Sequence, residues 1–194
     1  RKNASGQWVQ EAILQGAPAF GDARSHGHDV DVIGNLAIVG SPFNPNSALA
    51  PDVHLFQRSS TTWPLAARIP PPAEASHSVY AKAVATDGDT TLVSASFSPG
   101  VFRAHRVGGN WTVDGLLRPV NWMDLGSNVN GFQTDPQWNR IAASGGLGAV
   151  GAWGDDPRGQ DSGAVDIYDI GSGGSERPIA RLLASDATPA SKLG

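Results

Sequence analysis

The sequence predicts an all-β protein, a β-propeller-like array of four-stranded antiparallel blades with about three complete blades and a partial one. The first observation is a pair of short apolar runs around Gly34-Asn35, an arrangement that returns at Gly88-Asp89 and at Gly145-Gly146. Such pairs favour tight hairpin turns, because Gly adopts a positive φ at little cost. The second observation is the recurrence itself, at intervals near 50 residues, which is typical of propeller blades.

Each repeat adds an opening apolar segment before its hairpin and a further strand after it. The opening segments start at Trp8, Trp63, Trp111 and Arg177, and the further strands start at Val53, Val101 and Val165. We therefore expect a single repeat-array domain over residues 1–194. Its repeats span about 8–62, 63–110 and 111–176, and a partial repeat spans 177–194.

Neighbouring blades stack face to face, so even the inner strands are expected to be covered on both sides. Helix is expected to occupy less than about a tenth of the residues. The tryptophans that open the first three repeats, Trp8, Trp63 and Trp111, are expected to pack between blades. The residues predicted to be mostly buried are Val30, Val32, Ile38, Val84, Leu92, Val93, Ile141 and Val150.

Charge and composition exclude several partners. The chain carries 14 Lys and Arg against 18 Asp and Glu, a formal charge of −4, which gives no basic field for nucleic acid. It has no Cys, which removes disulfides, thiolate metal sites and cysteine nucleophiles. No apolar run approaches the roughly 20 residues of a membrane span. The chain starts at Arg1, and we expect a processed or excised piece.

The repeat resembles the FG-GAP family, the blades of integrin-type propellers and their microbial relatives. The family's Gly-Ala-Pro position is held by Gly40-Ser41-Pro42, by Ser94-Ala95-Ser96 and by Gly151-Ala152-Trp153. Its Phe-Gly position is held by His26-Gly27 and by Tyr80-Ala81. The resemblance covers roughly residues 8–183 and implies a propeller fold with an extracellular or cell-surface adhesion role.

In that family some blades carry a calcium loop, Asp-x-Asp-x-Asp-Gly, and no segment here matches it. A different acidic loop holds Asp155, Asp156 and Asp161 between glycines. Clustered carboxylates can supply the oxygen ligands that calcium prefers. Turn chemistry alone also favours Asp and Gly in such a loop, and we favour that interpretation, with no cofactor. If calcium binds there, excess ion should raise the melting temperature.

A second candidate metal site is the run that contains His26, His28, Asp29 and Asp31. His26 and His28 share a strand face, and histidine with carboxylate is a common ligand set for transition metals. His26 falls where the family places an aromatic residue, so we favour a packed or hydrogen-bonded histidine. The other histidines, His54, His77 and His105, lie in different segments and the sequence does not group them.

Three tryptophans break the repeat spacing, namely Trp122, Trp138 and Trp153, and all belong to the third repeat. The third repeat also carries a long insertion at 121–138, and long loops are often functional. We expect any surface that binds a glycan or a protein to lie there. Asn3 and Asn110 match the N-glycosylation acceptor pattern, and Asn110 falls in an expected exposed turn.

No Gly-x-Ser-x-Gly motif or other nucleophile signature is present. Together with the family resemblance, this absence predicts a non-catalytic extracellular binding, adhesion or assembly module. The alternative is a secreted propeller enzyme that acts on glycans as a hydrolase or lyase. Acidic or His side chains converging in one pocket with shifted pKa values would favour the enzyme. We expect a protein partner or self-association through open blade edges, at the N-terminal segment and at residues 177–183.

Overall fold

The computed structural model describes residues 2–16, 26–42, 51–75, 79–96, 100–118, 140–152, 157–159, 162–171, 173–186 and 188–189. These residues form three four-stranded antiparallel sheets, and the helical element among them is a single 3-10 turn at Ala73–Ala75. The prediction of an all-β chain made of four-stranded blades is confirmed.

Each sheet is a meander of four strands that are consecutive in the chain. Sheet one contains β1 (Val30–Ile33), β2 (Leu36–Ser41), β3 (Asp52–Gln57) and β4 (Leu65–Ile69). Sheet two contains β5 (Val79–Thr86), β6 (Thr90–Ser96), β7 (Val101–Val107) and β8 (Asn110–Leu117). Sheet three contains β9 (Ile141–Ser144), β10 (Leu147–Ala152), β11 (Ala164–Asp169) and β12 (Ala180–Leu182).

The three predicted hairpin turns are confirmed. Gly34-Asn35 joins β1 to β2, and Gly145-Gly146 joins β9 to β10. Gly145 and Gly146 both have positive φ, 57° and 80°, as a type I′ turn requires. The turn at Gly88-Asp89 is longer and is closed by the Asp87 carboxylate, which accepts the Thr90 N–H at 2.8 Å.

The opening segments of the second, third and partial sequence repeats each belong to the sheet before them. The strand β4, which opens the second repeat, pairs with β3, and β8 pairs with β7 in the same way. The segment at 177–183 supplies β12, which pairs with β11 of its own chain and completes sheet three. In the described part of the chain the segment at 8–14 is not assigned to a strand, and an isolated bridge joins Trp8 to Lys2.

The sheets stack in chain order, so each has an upstream face, toward the preceding sheet, and a downstream face, toward the next. The downstream face of sheet one packs on the upstream face of sheet two, and sheets two and three meet in the same way. The first interface buries Ile38, Leu55, Ile69, Tyr80, Val84, Val93 and Phe102, among others. The second interface buries Leu92, Val101, Leu117, Val150, Tyr168 and Ile170.

Most of the burial predictions are confirmed, and two are wrong. Val30 and Val32 are 57% and 58% exposed, because both lie on the upstream face of sheet one, where the described chain places no further sheet. Ile141 is only partly buried against the second interface. The packing expected of Trp8 is also wrong, since it is 78% exposed, whereas Trp63 and Trp111 are partly buried. The confirmed residues are Ile38, Val84, Leu92, Val93 and Val150.

Aspartates connect neighbouring sheets through backbone hydrogen bonds. Asp29 accepts the Val84 N–H and Asp31 accepts the Thr86 N–H, both at 2.8 Å. These acceptors satisfy backbone N–H groups on the edge of β5 that faces away from β6, its neighbour in the described sheet. Asp87 accepts the Gly146 N–H at 2.9 Å and connects sheet two to sheet three in the same manner.

Ala81 is buried and has a φ of 66°, a conformation that costs a non-glycine residue roughly 1 kcal/mol or more. The corresponding residue of the first repeat, Gly27, also has positive φ, 85°. We expect Ala81→Gly to change the free energy of unfolding by less than about 1 kcal/mol, because relief of the strain is offset by the greater chain entropy of Gly in the unfolded state and by the loss of a buried methyl group. Urea unfolding measures the change, and a loss of stability as large as that of a strain-free buried Ala→Gly substitution, about 1 kcal/mol or more, would contradict the assigned backbone strain.

Candidate functional site

Several predicted site residues lie outside the described residues. They are Asp155, Asp156, Asp161, Trp122, Trp138 and Trp153, so the calcium hypothesis and the tryptophan surface remain predictions. The two glycosylation candidates are described. Asn110 is exposed at the β7–β8 hairpin. The Asn3 carboxamide oxygen accepts the N–H groups of Ser5 and Gln7 at 3.1 and 2.9 Å, so it already organises a turn.

A cavity of about 460 Å³ lies between the inner strands β1, β5 and β9. Its basic groups are Lys82 on β5, His28 just before β1 and Arg140 just before β9. Its carboxylates, Asp29 and Asp31, hold the backbone N–H groups of β5 and so connect two sheets. The residues predicted as a second metal site therefore have separate partners. The two aspartates accept hydrogen bonds from β5, and His28 forms a hydrogen bond with the Lys82 carbonyl oxygen at 3.0 Å.

His26 belongs instead to a polar cluster at the end of sheet one. Its Nδ1 lies 2.8 Å from the Ser41 hydroxyl, and His54 Nδ1 lies 3.4 Å from the same hydroxyl. The two imidazole rings meet edge to face with centroids 5.0 Å apart. Asp52 lies 3.6 Å from His54 Nδ1 and forms an ion pair with Arg68. Ser41, Asp52 and His54 are almost completely buried.

This cluster has the residue types of a catalytic triad without its geometry. In a triad the histidine uses one ring nitrogen for the serine and the other for the carboxylate. Here Ser41 and Asp52 both face the same atom, His54 Nδ1. The Ser41 side chain is also closed to solvent. The cluster therefore forms a buried polar network within sheet one.

Burial governs the shifted pKa values of His26, in this cluster, and of Tyr80 on β5. Removal from water lowers the pKa of His26, against a smaller opposing effect of a hydrogen bond with the Leu14 backbone and of the Asp52 charge. Burial, assisted by the Asp52 charge, raises the pKa of Tyr80 far above its usual range. The Tyr80 hydroxyl has no hydrogen-bond partner in the described part of the chain.

The sequence did not predict this cluster. His54 had no assigned neighbour, because Ser41 and Asp52 face each other only through the pairing of β2 with β3. One signal was available, since Asp52 and His54 alternate along one strand and so share a face.

The lowered pKa of His26 predicts a pH dependence of stability. A folded-state pKa below the unfolded value means that stability is fully present above pH 6.5 and is lost as the pH falls through the folded pKa. Between pH 8 and pH 5 the melting temperature of the parent should fall more steeply with decreasing pH than that of His26→Phe. Parallel pH profiles of the two proteins would show that His26 does not contribute.

The downstream face of sheet three is apolar, and among the described residues no further sheet covers it. It presents Ala149, Val165 and Ile167, which are half-buried, together with Leu147 and Leu182, which are 49% and 52% exposed. Exposed apolar side chains grouped on one sheet face mark a contact surface more often than scattered ones do. This face is the strongest candidate for an interaction site on the described chain.

In the described residues no group of three or more His, Asp or Glu side chains is placed to hold a metal ion. The described ranges also contain no helix long and apolar enough to cross a membrane. Comparison with protein-family models and with curated proteins found no match. The class of protein is therefore defined by the fold, an all-β stack of four-stranded antiparallel sheets with a blade-like arrangement.

Proposed function

We propose that the chain is a non-catalytic extracellular binding module that acts in adhesion or assembly. The observation that carries the proposal is the open apolar face of sheet three, because the corresponding faces of sheets one and two are buried in contacts between sheets. The likeness of its repeat to FG-GAP blades supports the extracellular setting. Fold alone does not determine function, so the site is the stronger argument.

The polar groups support a binding role more than a catalytic one. The carboxylates of the inner cavity accept backbone hydrogen bonds from the neighbouring sheet. In sheet one the side chains of Ser41, Asp52 and His54 are buried, and Ser41 and Asp52 both approach the same ring nitrogen of His54. Glycoside hydrolysis uses two carboxyl groups that face the substrate, whereas Asp29 and Asp31 each hold a backbone N–H of the neighbouring sheet.

The test separates binding from turnover on glycans. The purified chain is incubated with neutral and acidic polysaccharides while new reducing ends and the absorbance of unsaturated uronates are measured. In parallel, retention on the same immobilised glycans and on extracellular proteins is measured by surface plasmon resonance. Saturable retention without turnover is the expected result. Turnover above the blank would overturn the proposal in favour of a secreted glycan hydrolase or lyase, and absence of any retention would contradict a binding role.

A further inference from the structure

The inner strands of the three sheets, β1, β5 and β9, are equivalent position by position. Each is followed by its hairpin, and counting back from the hydrogen-bonded pair that closes each hairpin aligns the strands. The closing pairs are Ile33–Leu36, Asp87–Thr90 and Ser144–Leu147. The aligned sets are Val30 with Val84 and Ile141, Asp29 with Ala83 and Arg140, and Asp31 with Ala85 and Ala142.

Two carboxylates join the inner strands of sheets one and two, and their equivalents are missing between sheets two and three. Asp29 and Asp31 each accept an N–H group of β5 at 2.8 Å. At the equivalent positions β5 itself carries Ala83 and Ala85, which have no side-chain acceptor. The contact between β5 and β9 therefore lacks this pair of acceptors.

The N–H groups of β9 that would meet such acceptors belong to Ile141 and Ala143. The Gly151 N–H donates to the Arg140 carbonyl oxygen at 2.9 Å, so these two residues form a hydrogen-bonded pair of the ladder. Alternation along an antiparallel ladder then points the N–H groups of Ile141 and Ala143 away from β10. In the part of the chain that the structure describes, neither group has an acceptor on another sheet.

The cavity of about 460 Å³ between the inner strands lies at this place, since it is lined by both alanines of β5 and by Ile141 and Ala143. Its volume is within the range of small-molecule sites, which begins near 300 Å³. Lys82 and Arg140 also line it and offset the charges of the two aspartates, so the wall as a whole does not repel an anion. N–H groups two residues apart on a strand are about 7 Å apart, so a ligand needs two acceptor groups with that separation.

We propose that this cavity binds a small dicarboxylate, whose two carboxylates accept the N–H groups of Ile141 and Ala143. Hydrogen bonds from N–H groups to a carboxylate are stronger than those to a neutral acceptor. The bound ligand would join sheet two to sheet three as the two aspartates join sheet one to sheet two. The inference goes beyond the proposed function, because none of the residues that define the open face of sheet three lines this cavity.

The test is a titration of the isotope-labelled chain with adipate, followed through the amide chemical shifts. The amide protons of Ile141 and Ala143 should move saturably downfield as they gain carboxylate acceptors. Those of Val84 and Thr86 already have such acceptors and should not move. Dimethyl adipate, which has the same length without the charges, should bind at least about tenfold more weakly. Digalacturonate is the second probe, and the tighter of the two acids distinguishes a free dicarboxylate from an acidic sugar.

Two variants test the position of the ligand. Ala83→Asp places a carboxylate where β1 has Asp29, and this carboxylate should accept the Ile141 N–H in place of the ligand. The variant should weaken adipate binding about tenfold or more and should shift the Ile141 amide before any ligand is added. Ala142→Asp is the matched control, because it adds the same charge to the wall of the same cavity at an exposed position. It should weaken binding less than about threefold.

Several results would each overturn the inference. They are the absence of a saturable shift at Ile141 and Ala143 with either acid, equal shifts at Val84 and Thr86, equal binding of the dimethyl ester, and equal weakening by the two variants. The first three are measured on the parent chain, so they decide the question even if Ala83→Asp does not fold.

Discussion

Val93→Asp should leave the chain unfolded at 25 °C, so that heating produces no cooperative unfolding transition. Val93 is completely buried between sheets one and two, and its cross-strand neighbours within sheet two are Val84 and Phe102. An uncompensated charge at such a position costs several kcal/mol, which is comparable with the ~5–15 kcal/mol that stabilises a typical domain. Thermal melting followed by circular dichroism measures the effect.

Val107→Asp is the matched control for this prediction, because it makes the same change on the same sheet at an exposed position. It should melt within about 2 °C of the parent, as surface substitutions usually do. If Val93→Asp melted as close to the parent as the control does, the contact between sheets one and two would be wrong.

Gly40→Ala should lower the melting temperature by several degrees. A Cβ at Gly40 would overlap the backbone carbonyl oxygen of Ala81, so sheets one and two would have to move apart. Overpacking of this kind costs about 1–3 kcal/mol, or roughly 2–10 °C for a chain of this size.

Gly16→Ala is the control for the glycine prediction. A Cβ there would lie 3.6 Å from the nearest His54 ring atom, which is ordinary van der Waals contact. Differential scanning calorimetry of both variants should show a fall for Gly40→Ala alone. Equal shifts would mean that the close approach of sheet one to Ala81 does not exist in solution.

The turns and the strands were predictable because their signals are local. A Gly-containing pair between apolar runs specifies a hairpin through backbone conformation alone. The partner of each opening segment was not predictable in the same way, since an alternating strand can pair with either neighbour along the chain. The structure pairs Leu65–Ile69 with the preceding strand.

Burial was predictable only where a neighbouring sheet exists. Val30 and Val84 have equivalent positions and the same side chain, yet one is exposed and the other buried, because only the second faces another sheet. The polar cluster of sheet one was out of reach for a related reason. Its contacts depend on which residues of β2 and β3 face each other, and that pairing is set over long range.

The pairing of the later opening segments, β4, β8 and β12, with the preceding sheet separates the unit of duplication from the unit of folding. A recombination event that cuts at the start of a sequence repeat, such as Trp63, would remove β4 from sheet one and leave the third strand exposed. A cut within 70–78, between β4 and β5, would pass between complete sheets. Whole sheets could then be gained or lost without breaking a ladder of hydrogen bonds, so viable changes in the length of such arrays should have breakpoints after the outermost strand.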